Sequence, residues 1–324
     1  MKEIKITEIK GIRIGNAQNL EGGTGCTVII CENGGTAGVD VRGGGPASHE
    51  TELLKPVNTV DKIHGIVLSG GSAFGLESDS GVMKYLEEKN IGFKVGDVIV
   101  PIVCGASIFD LLVGDSKCRP DKKMGYEACC NSEKNIIEEG NVGAGTGAAV
   151  GKYKGMERAM KSGLGIYAVE VGELKVGAVV AVNAIGDIFD IDTNEIIAGV
   201  LNEEKDKILN TEKLMWEDLE NSKKESQGIE NTTIGCIITN GKLTKAQMSK
   251  VASMAHNGYA RAIRPVHTSL DGDTIFAITT GEIETTVNII GTLGAYVMGK
   301  AINRAVRKTK AAYGLKSCNE IIKK

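Results

Sequence analysis

Asn231-Thr232-Thr233 closes a stretch dense in Glu, Lys, Asp and Asn and stands directly before the apolar, β-branched run Ile234 to Thr239. A hydroxyl at the leading edge of a strand, reached through a polar segment, has the parts that self-cleavage needs. The side-chain oxygen attacks the preceding carbonyl carbon, the acyl group shifts from nitrogen to oxygen, and hydrolysis of the ester frees a threonine with a new α-amine. That amine, with an unperturbed pKa of about 8, can take the proton of its own hydroxyl, so no histidine is required. Read locally, the same three residues also fit a plain turn into a strand.

Two further patterns could do chemistry. Asp271-Gly272-Asp273 sets two carboxylates astride a glycine, ahead of the run Thr274 to Thr279. Such a pair orients an amine or moves a proton, although Asp and Gly also build solvated turns. The loop Gly143-Ala-Gly-Thr-Gly-Ala-Ala-Val-Gly151, followed by Lys152, raises the question of nucleotide binding. A Walker loop needs glycine, four residues, then Gly-Lys-Ser/Thr; here Thr146 stands at the first glycine and Tyr153 follows the lysine. A dinucleotide fingerprint follows a buried strand, whereas Asn135 to Gly140 is acidic and polar. The loop therefore reads as a tight turn that positions Lys152, with phosphate binding as the alternative.

These residues need elements to hold them. Strands are expected over Thr27 to Cys31, Gly65 to Leu68, Ile166 to Val171, Leu174 to Asn183, Ile234 to Thr239 and Thr274 to Thr279, from β-branched and alternating apolar runs. Gly172-Glu173 between two of them predicts a hairpin with a type II′ turn. Thr244 and Gln247 form a capping-box pattern, after which Met248, Val251, Ala252, Ala255 and Tyr259 fall on one helical face. Leu76 to Lys89 and Val287 to Arg304 also read as helices. Antiparallel hairpins mixed with helices do not give strict β-α-β alternation, so two packed sheets flanked by helices are expected. Asn202 to Glu230 reads as a flexible linker.

Composition narrows the partners. The chain has 324 residues, a net charge of -3 and no blocks of basic residues, which argues against nucleic acid. The start, Met1 to Gly15, alternates charged and apolar residues and contains no long apolar core, so neither secretion nor membrane anchoring is expected and the cytoplasm is the expected location. Eight cysteines without a CxxC pair fit a reducing compartment, and the four scattered histidines argue against zinc.

Three long segments carry a resemblance. Val67-Leu-Ser-Gly-Gly-Ser-Ala-Phe-Gly-Leu76, Gly140-Asn-Val-Gly-Ala-Gly-Thr-Gly147 and Arg261-Ala-Ile-Arg-Pro-Val-His-Thr268, leading into Asp271-Gly-Asp-Thr274, resemble the DmpA-like family of self-processing aminopeptidases, which includes β-peptidyl aminopeptidases and nylon-oligomer hydrolases. The resemblance spans nearly the whole chain. It implies an α/β four-layer α/β/β/α sandwich of the N-terminal-nucleophile type, formed by one catalytic domain over residues 1–324 that cleaves itself into 1–231 and 232–324. It implies Thr232 as nucleophile, Asp271 and Asp273 as the acidic pair beside it, Asn183 at the oxyanion position and Lys152 as the site lysine, with Lys154 near enough to compete. Phe109 would stand beside the pocket without the hydroxyl of a tyrosine, and Gly71 and Ser72 would line it. The resemblance further implies a homo-oligomer, a tetramer of cleaved heterodimers, acting on small amides or peptides without cofactor or metal. An acyltransferase of the ornithine acetyltransferase type, which also self-processes at threonine, is the alternative that keeps the same nucleophile.

Overall fold

Strand β7 (Ile234–Lys242) buries both of its faces: Ile234, Cys236 and Ile238 point into one apolar cluster and Ile237 into another. Its parallel neighbour β8 (Thr274–Glu284) repeats the division, with Phe276 and Ile278 on the first side and Ile275 and Ala277 on the second. A strand apolar on both faces must be covered on both faces. The computed structural model describes residues 1–221 and 231–322 and supplies both covers.

On one side lie helices α3 (Lys245–Ala262) and α4 (Val287–Arg307), whose Val251, Ala255 and Tyr259, and Val297, Met298 and Ile302, are fully buried in that cluster. On the other lies a second layer of strands: β2 (Thr24–Val41), β3 (Lys62–Ser69) and β4 (Val103–Ser107). They contribute Ile29, Ile66, Leu68, Cys104 and Ala106 to the core between the sheets. Their opposite face, with Val28, Ile30, Val67 and Val103, packs under α1 (Ser78–Glu88) and α2 (Lys122–Ser132). Three cores between four layers make the α/β/β/α sandwich.

The two sheets are also joined. β2 runs from Thr24 to Val41, well beyond the expected Thr27 to Cys31. It pairs with β1 (Arg13–Asn19) and β3 up to Ile30, shifts register before Gly35, and pairs with β8 from Thr36. Polar Glu32 and Asn33 and the paired glycines at 34 and 35 mark this bend, so composition broke one strand into what reads as a strand and a turn.

The hairpin of β5 (Leu164–Val171) and β6 (Leu174–Ala181) closes with Val171 opposite Leu174. Gly172 has φ +62° while Glu173 does not adopt a positive φ, as a type II′ turn requires. Thr244 and Gln247 cap α3 reciprocally: each side chain accepts from the other residue's N–H.

The expected linker is in part structured. A helix over Thr211–Glu220, capped by the Asn210 side chain, occupies its middle. Thr211 gives its N–H and hydroxyl to the buried Asp187 carboxylate, and Tyr153 and Lys154 both bond Asp218. The polar composition conceals those anchors, because only two side chains of this helix are buried. Residues 222–230 of the expected linker lie outside the described residues. Among the described residues, no helix is long and apolar enough to cross a membrane.

Candidate active site

β7 and β8 begin side by side, Ile234 opposite Thr274, so the residues leading into each strand are brought together. Asn231 forms a parallel bridge with Asp271: its N–H donates to Leu270 O at 3.0 Å and its carbonyl oxygen accepts from Gly272 N at 2.8 Å. The Thr232 hydroxyl donates to the same carbonyl oxygen. Thr232 is 4% exposed and Thr233 is fully buried, so this hydroxyl is withdrawn from solvent.

Asn183, two residues past β6, closes the site from the next strand. Its main-chain oxygen accepts both from Thr232 N at 3.0 Å and from Lys152 Nζ at 3.1 Å. Its side-chain amide donates to Phe109 O at 2.9 Å and accepts from Ala149 N at 3.1 Å, which fixes its orientation. Lys152 is buried. Burial pushes its ammonium down to about 7, against the pull of Asp271, Asp110 and Asp273. Lys154 instead pairs with Asp218, so of the two lysines it is Lys152 that reaches the site.

Both carboxylates are buried and hydrogen-bonded, Asp271 through one oxygen and Asp273 through both. Asp271 accepts from Thr268 N at 2.7 Å and from the Thr268 hydroxyl at 2.6 Å. Burial, with Asp273 adding to it, raises Asp271 to about 6. Asp273 takes Thr233 N at 2.8 Å on one oxygen; on the other it takes His267 N at 3.1 Å and His267 Nδ1 at 2.8 Å. Two of the histidines scattered along the sequence meet in space: the His267 and His256 rings stand 4.7 Å apart, centroid to centroid, next to Tyr259. The cause is tertiary: His256 is on α3 and His267 is in the loop after it. The spacing of Asp273 from His267 within one segment was the available clue.

The glycine loop positions Lys152, and its own architecture disposes of a phosphate. A phosphate cradle needs free main-chain N–H groups. Here those of Gly143 and Ala144 donate to the Gln18 and Thr27 side chains, that of Ala149 to Asn183, and those of Gly151 and Lys152 to the 185–186 backbone. The carbonyls of Gly145, Ala148 and Ser162 meanwhile converge on Lys161 Nζ. Lys161 is a residue the sequence reading passed over. It is fully buried, which pushes it down to about 7 although Asp110 pulls the other way.

Gly71 and Ser72 are tied to the site indirectly. Gly71, at φ +79°, donates to Asp110 Oδ1 at 2.6 Å, and Ser72 donates its N–H to Ile108 O. Asp110 is buried, also accepts from Thr24, and is raised to about 6 by burial. It leaves no space beside Gly70, where a Cβ would lie 2.1 Å from its Oδ2. Phe109, half-buried, contributes its main-chain oxygen to Asn183. Among the described residues, no group of three His, Cys, Asp or Glu side chains is arranged to hold a metal ion.

The model of peptidase family S58 matches residues 5–316. The chain belongs to peptidase family S58. Membership makes it a hydrolase of amide bonds of the peptide type. Over 300 residues it is 39% identical to a protein of Mycobacterium leprae (strain TN) described as an uncharacterized aminopeptidase, covering 87% of this chain and 80% of that one. It is 30% identical over 281 residues to the 6-aminohexanoate-oligomer endohydrolase of Kocuria sp. (strain KY2), covering 86% and 75%. The fold is that of a Burkholderia sp. beta-aminopeptidase, with a TM-score of 0.70 at 18% identity over 97% of this chain and 90% of that one. It is also that of the l-aminopeptidase d-ala-esterase/amidase of Ochrobactrum anthropi, with a TM-score of 0.69 at 16% identity over 94% and 86%, a variant of the Ntn hydrolase fold.

Proposed function

We propose that this S58 hydrolase cuts its own chain between Asn231 and Thr232, and that the freed Thr232 then hydrolyses small amides, short peptides or oligoamides. The observation that carries the reading is the shared acceptor: the nitrogen that would become the α-amine and the ammonium of Lys152 both rest on Asn183 O. In this reading the single domain matures into subunits 1–231 and 232–324. The Thr232 hydroxyl passes its proton to its own amine and attacks the substrate carbonyl. The second N–H of the Asn183 amide supports the developing oxyanion, an interaction of a kind worth about 2.7 to 4 kcal/mol. The nitrogen leaves with a proton, and water then releases the acyl group. Lys152, with its depressed pKa, passes protons between Thr232 and the leaving group.

Asp273 holds the Thr233 amide and so the chain carrying the nucleophile, while Asp271 supplies charge toward Lys152. Phe109, Ser72 and Gly71 stand on the loops that would border the acyl group. Aminoacyl amides and 6-aminohexanoate oligomers are the first substrates to try, given what the relatives are named for. We further propose that the heterodimers assemble as a homo-oligomer, a tetramer by resemblance, in the cytoplasm.

The test is a partition experiment. Matured protein is incubated with an amide substrate and a competing amine, and acyl-Thr232 is sought by mass spectrometry after acid quench. Acyl adduct on Thr232 with water as the main acceptor supports the hydrolase. Net transfer to the amine exceeding hydrolysis overturns it in favour of an acyltransferase.

A further inference from the structure

The turn Asp271-Gly272-Asp273 is built backbone against backbone. Gly45 N donates to Asp271 O at 2.8 Å, and Arg42 N and Gly43 N donate to Asp273 O at 2.9 and 3.3 Å. A Cβ on Gly43 would fall 2.2 Å from Asp271 O and 2.4 Å from Asp273 N. The run Gly43 to Gly45 thus has a purpose that sequence alone did not reveal: it lets one main chain lie against another and holds the Gly272 amide in place. That amide points at a specific atom, the Asn231 carbonyl oxygen, 2.8 Å away. Asn231 cannot drift from it, because its own N–H is held by Leu270 O.

Gly272 is also the residue that leaves the nucleophile its space. A Cβ there would stand 2.8 Å from Thr232 Oγ1 and 2.8 Å from Gly45 O. Gly272 is not among the glycines with positive φ, so its lack of a side chain answers crowding rather than backbone conformation. The Thr232 hydroxyl donates to the Asn231 oxygen at rest, but it must give up that bond to attack the neighbouring carbon. Gly272 N–H then remains on the oxygen as negative charge develops there.

We propose that the Gly272 main-chain N–H is the oxyanion donor of the self-cleavage reaction, held in place by the backbone of Gly43 to Gly45. The assignment rests on the self-cleavage proposed above. Thr232 Oγ bonds to the Asn231 carbonyl carbon, whose oxygen takes the charge against Gly272 N–H. Collapse breaks the bond from that carbon to Thr232 N, and the hydroxyl proton ends on this nitrogen as part of the new amine. Water then cleaves the ester, giving the Asn231 carboxyl group and restoring the Thr232 hydroxyl. A donor fixed before the reaction stabilises the charged intermediate without reorganising.

The test replaces one atom. Full-length chain is made in a cell-free system with glycolic acid at position 272, which changes that N–H to an ester oxygen and adds no side chain. The control carries the α-hydroxy analogue of threonine at 274, whose N–H donates to Thr233 O at 3.1 Å and so joins the same two segments without touching the Asn231 carbonyl. Processing is followed by gel and intact mass. The 272 ester should cleave about 10²- to 10³-fold more slowly than wild type, and the 274 ester within about tenfold of it. A 272 ester that cleaves at the wild-type rate, or two esters equally slow, overturns the assignment while self-cleavage stands. A wild-type chain that never breaks between 231 and 232 overturns the underlying reading instead, and the assignment falls with it.

Discussion

Lys152 and Thr232 meet on one atom, the main-chain oxygen of Asn183, which accepts from the lysine ammonium at 3.1 Å and from the threonine N–H at 3.0 Å. The geometry brings a proton carrier beside the nitrogen that must gain a proton when the chain breaks. Burial brings the lysine to about 7, where its neutral and charged forms coexist at physiological pH. In its neutral form Lys152 can take the Thr232 hydroxyl proton and hand it to that nitrogen, so the rate of self-cleavage is expected to rise through about pH 7 and level off above it. Lys152→Arg keeps a cation that does not release its proton; it should remove that inflection and slow processing by about 10²-fold or more. Gel time courses across pH check both, and an Arg variant retaining the inflection contradicts the role.

Asp271 gives a dependence of opposite sign on stability. Its folded pKa, raised to about 6, lies above the unfolded value of about 3.9. Below the unfolded value the carboxyl is neutral in both states and its contribution to stability is fully present. As pH rises through about 6 the folded chain has to ionise a buried group, and the contribution is lost, at most about 3 kcal/mol. Urea titrations of wild type and Asp271→Asn should show the wild type losing more stability than the variant between about pH 4 and pH 7. Parallel curves would mean that Asp271 ionises freely.

Local rules recover the frame of the molecule but not its junctions. Periodicity and capping place α3, with Met248, Val251, Ala252, Ala255 and Tyr259 all on its buried face. The Gly172-Glu173 turn sets the register of β5 and β6, because a two-residue loop leaves little choice. The bend of β2 and the anchors of the Thr211–Glu220 helix are tertiary, and no local pattern encodes them. Much the same holds at the site. Thr232, Asp271 and Asp273 stand out because they lead into strands or flank a turn, Lys152 stands out as the residue its glycine loop would position, and Asn183 rests on resemblance alone. Lys161, Asp110 and the His267 contact with Asp273 escaped notice, since each acts through a partner that folding supplies. The glycine runs at Gly43 to Gly45 and Gly143 to Gly151 are plain in the sequence, but their meaning depends on which backbone they lie against.

His267 offers a test of positioning. It sits at φ +60° and presents two N–H donors to one oxygen of Asp273. Asparagine tolerates that backbone region and can place its amide N–H where Nδ1 stands. His267→Asn should therefore retain most turnover. His267→Ala loses a bond to a charged group, about 1.5 to 3 kcal/mol, and should lower kcat more than it raises KM. Steady-state kinetics of the two variants side by side check this, and equal loss in both would point to another property of the imidazole.

Lys161 is the corresponding test of the glycine loop. Its ammonium satisfies the carbonyls of Gly145, Ala148 and Ser162 in the interior. Lys161→Met keeps the stem but leaves those oxygens without their donor. A loss of at least about 3 kcal/mol in urea unfolding is expected. Wild-type stability in this variant would mean that water reaches the loop.

The most direct measurement is the intact mass of purified protein. We expect one species ending at Asn231 and another beginning at Thr232 with a free amine, while Thr232→Ala stays as a single inactive chain. A wild-type sample that remains one unbroken polypeptide with full amide-hydrolysing activity, or a Thr232→Ala chain that still parts at this bond, would contradict the account.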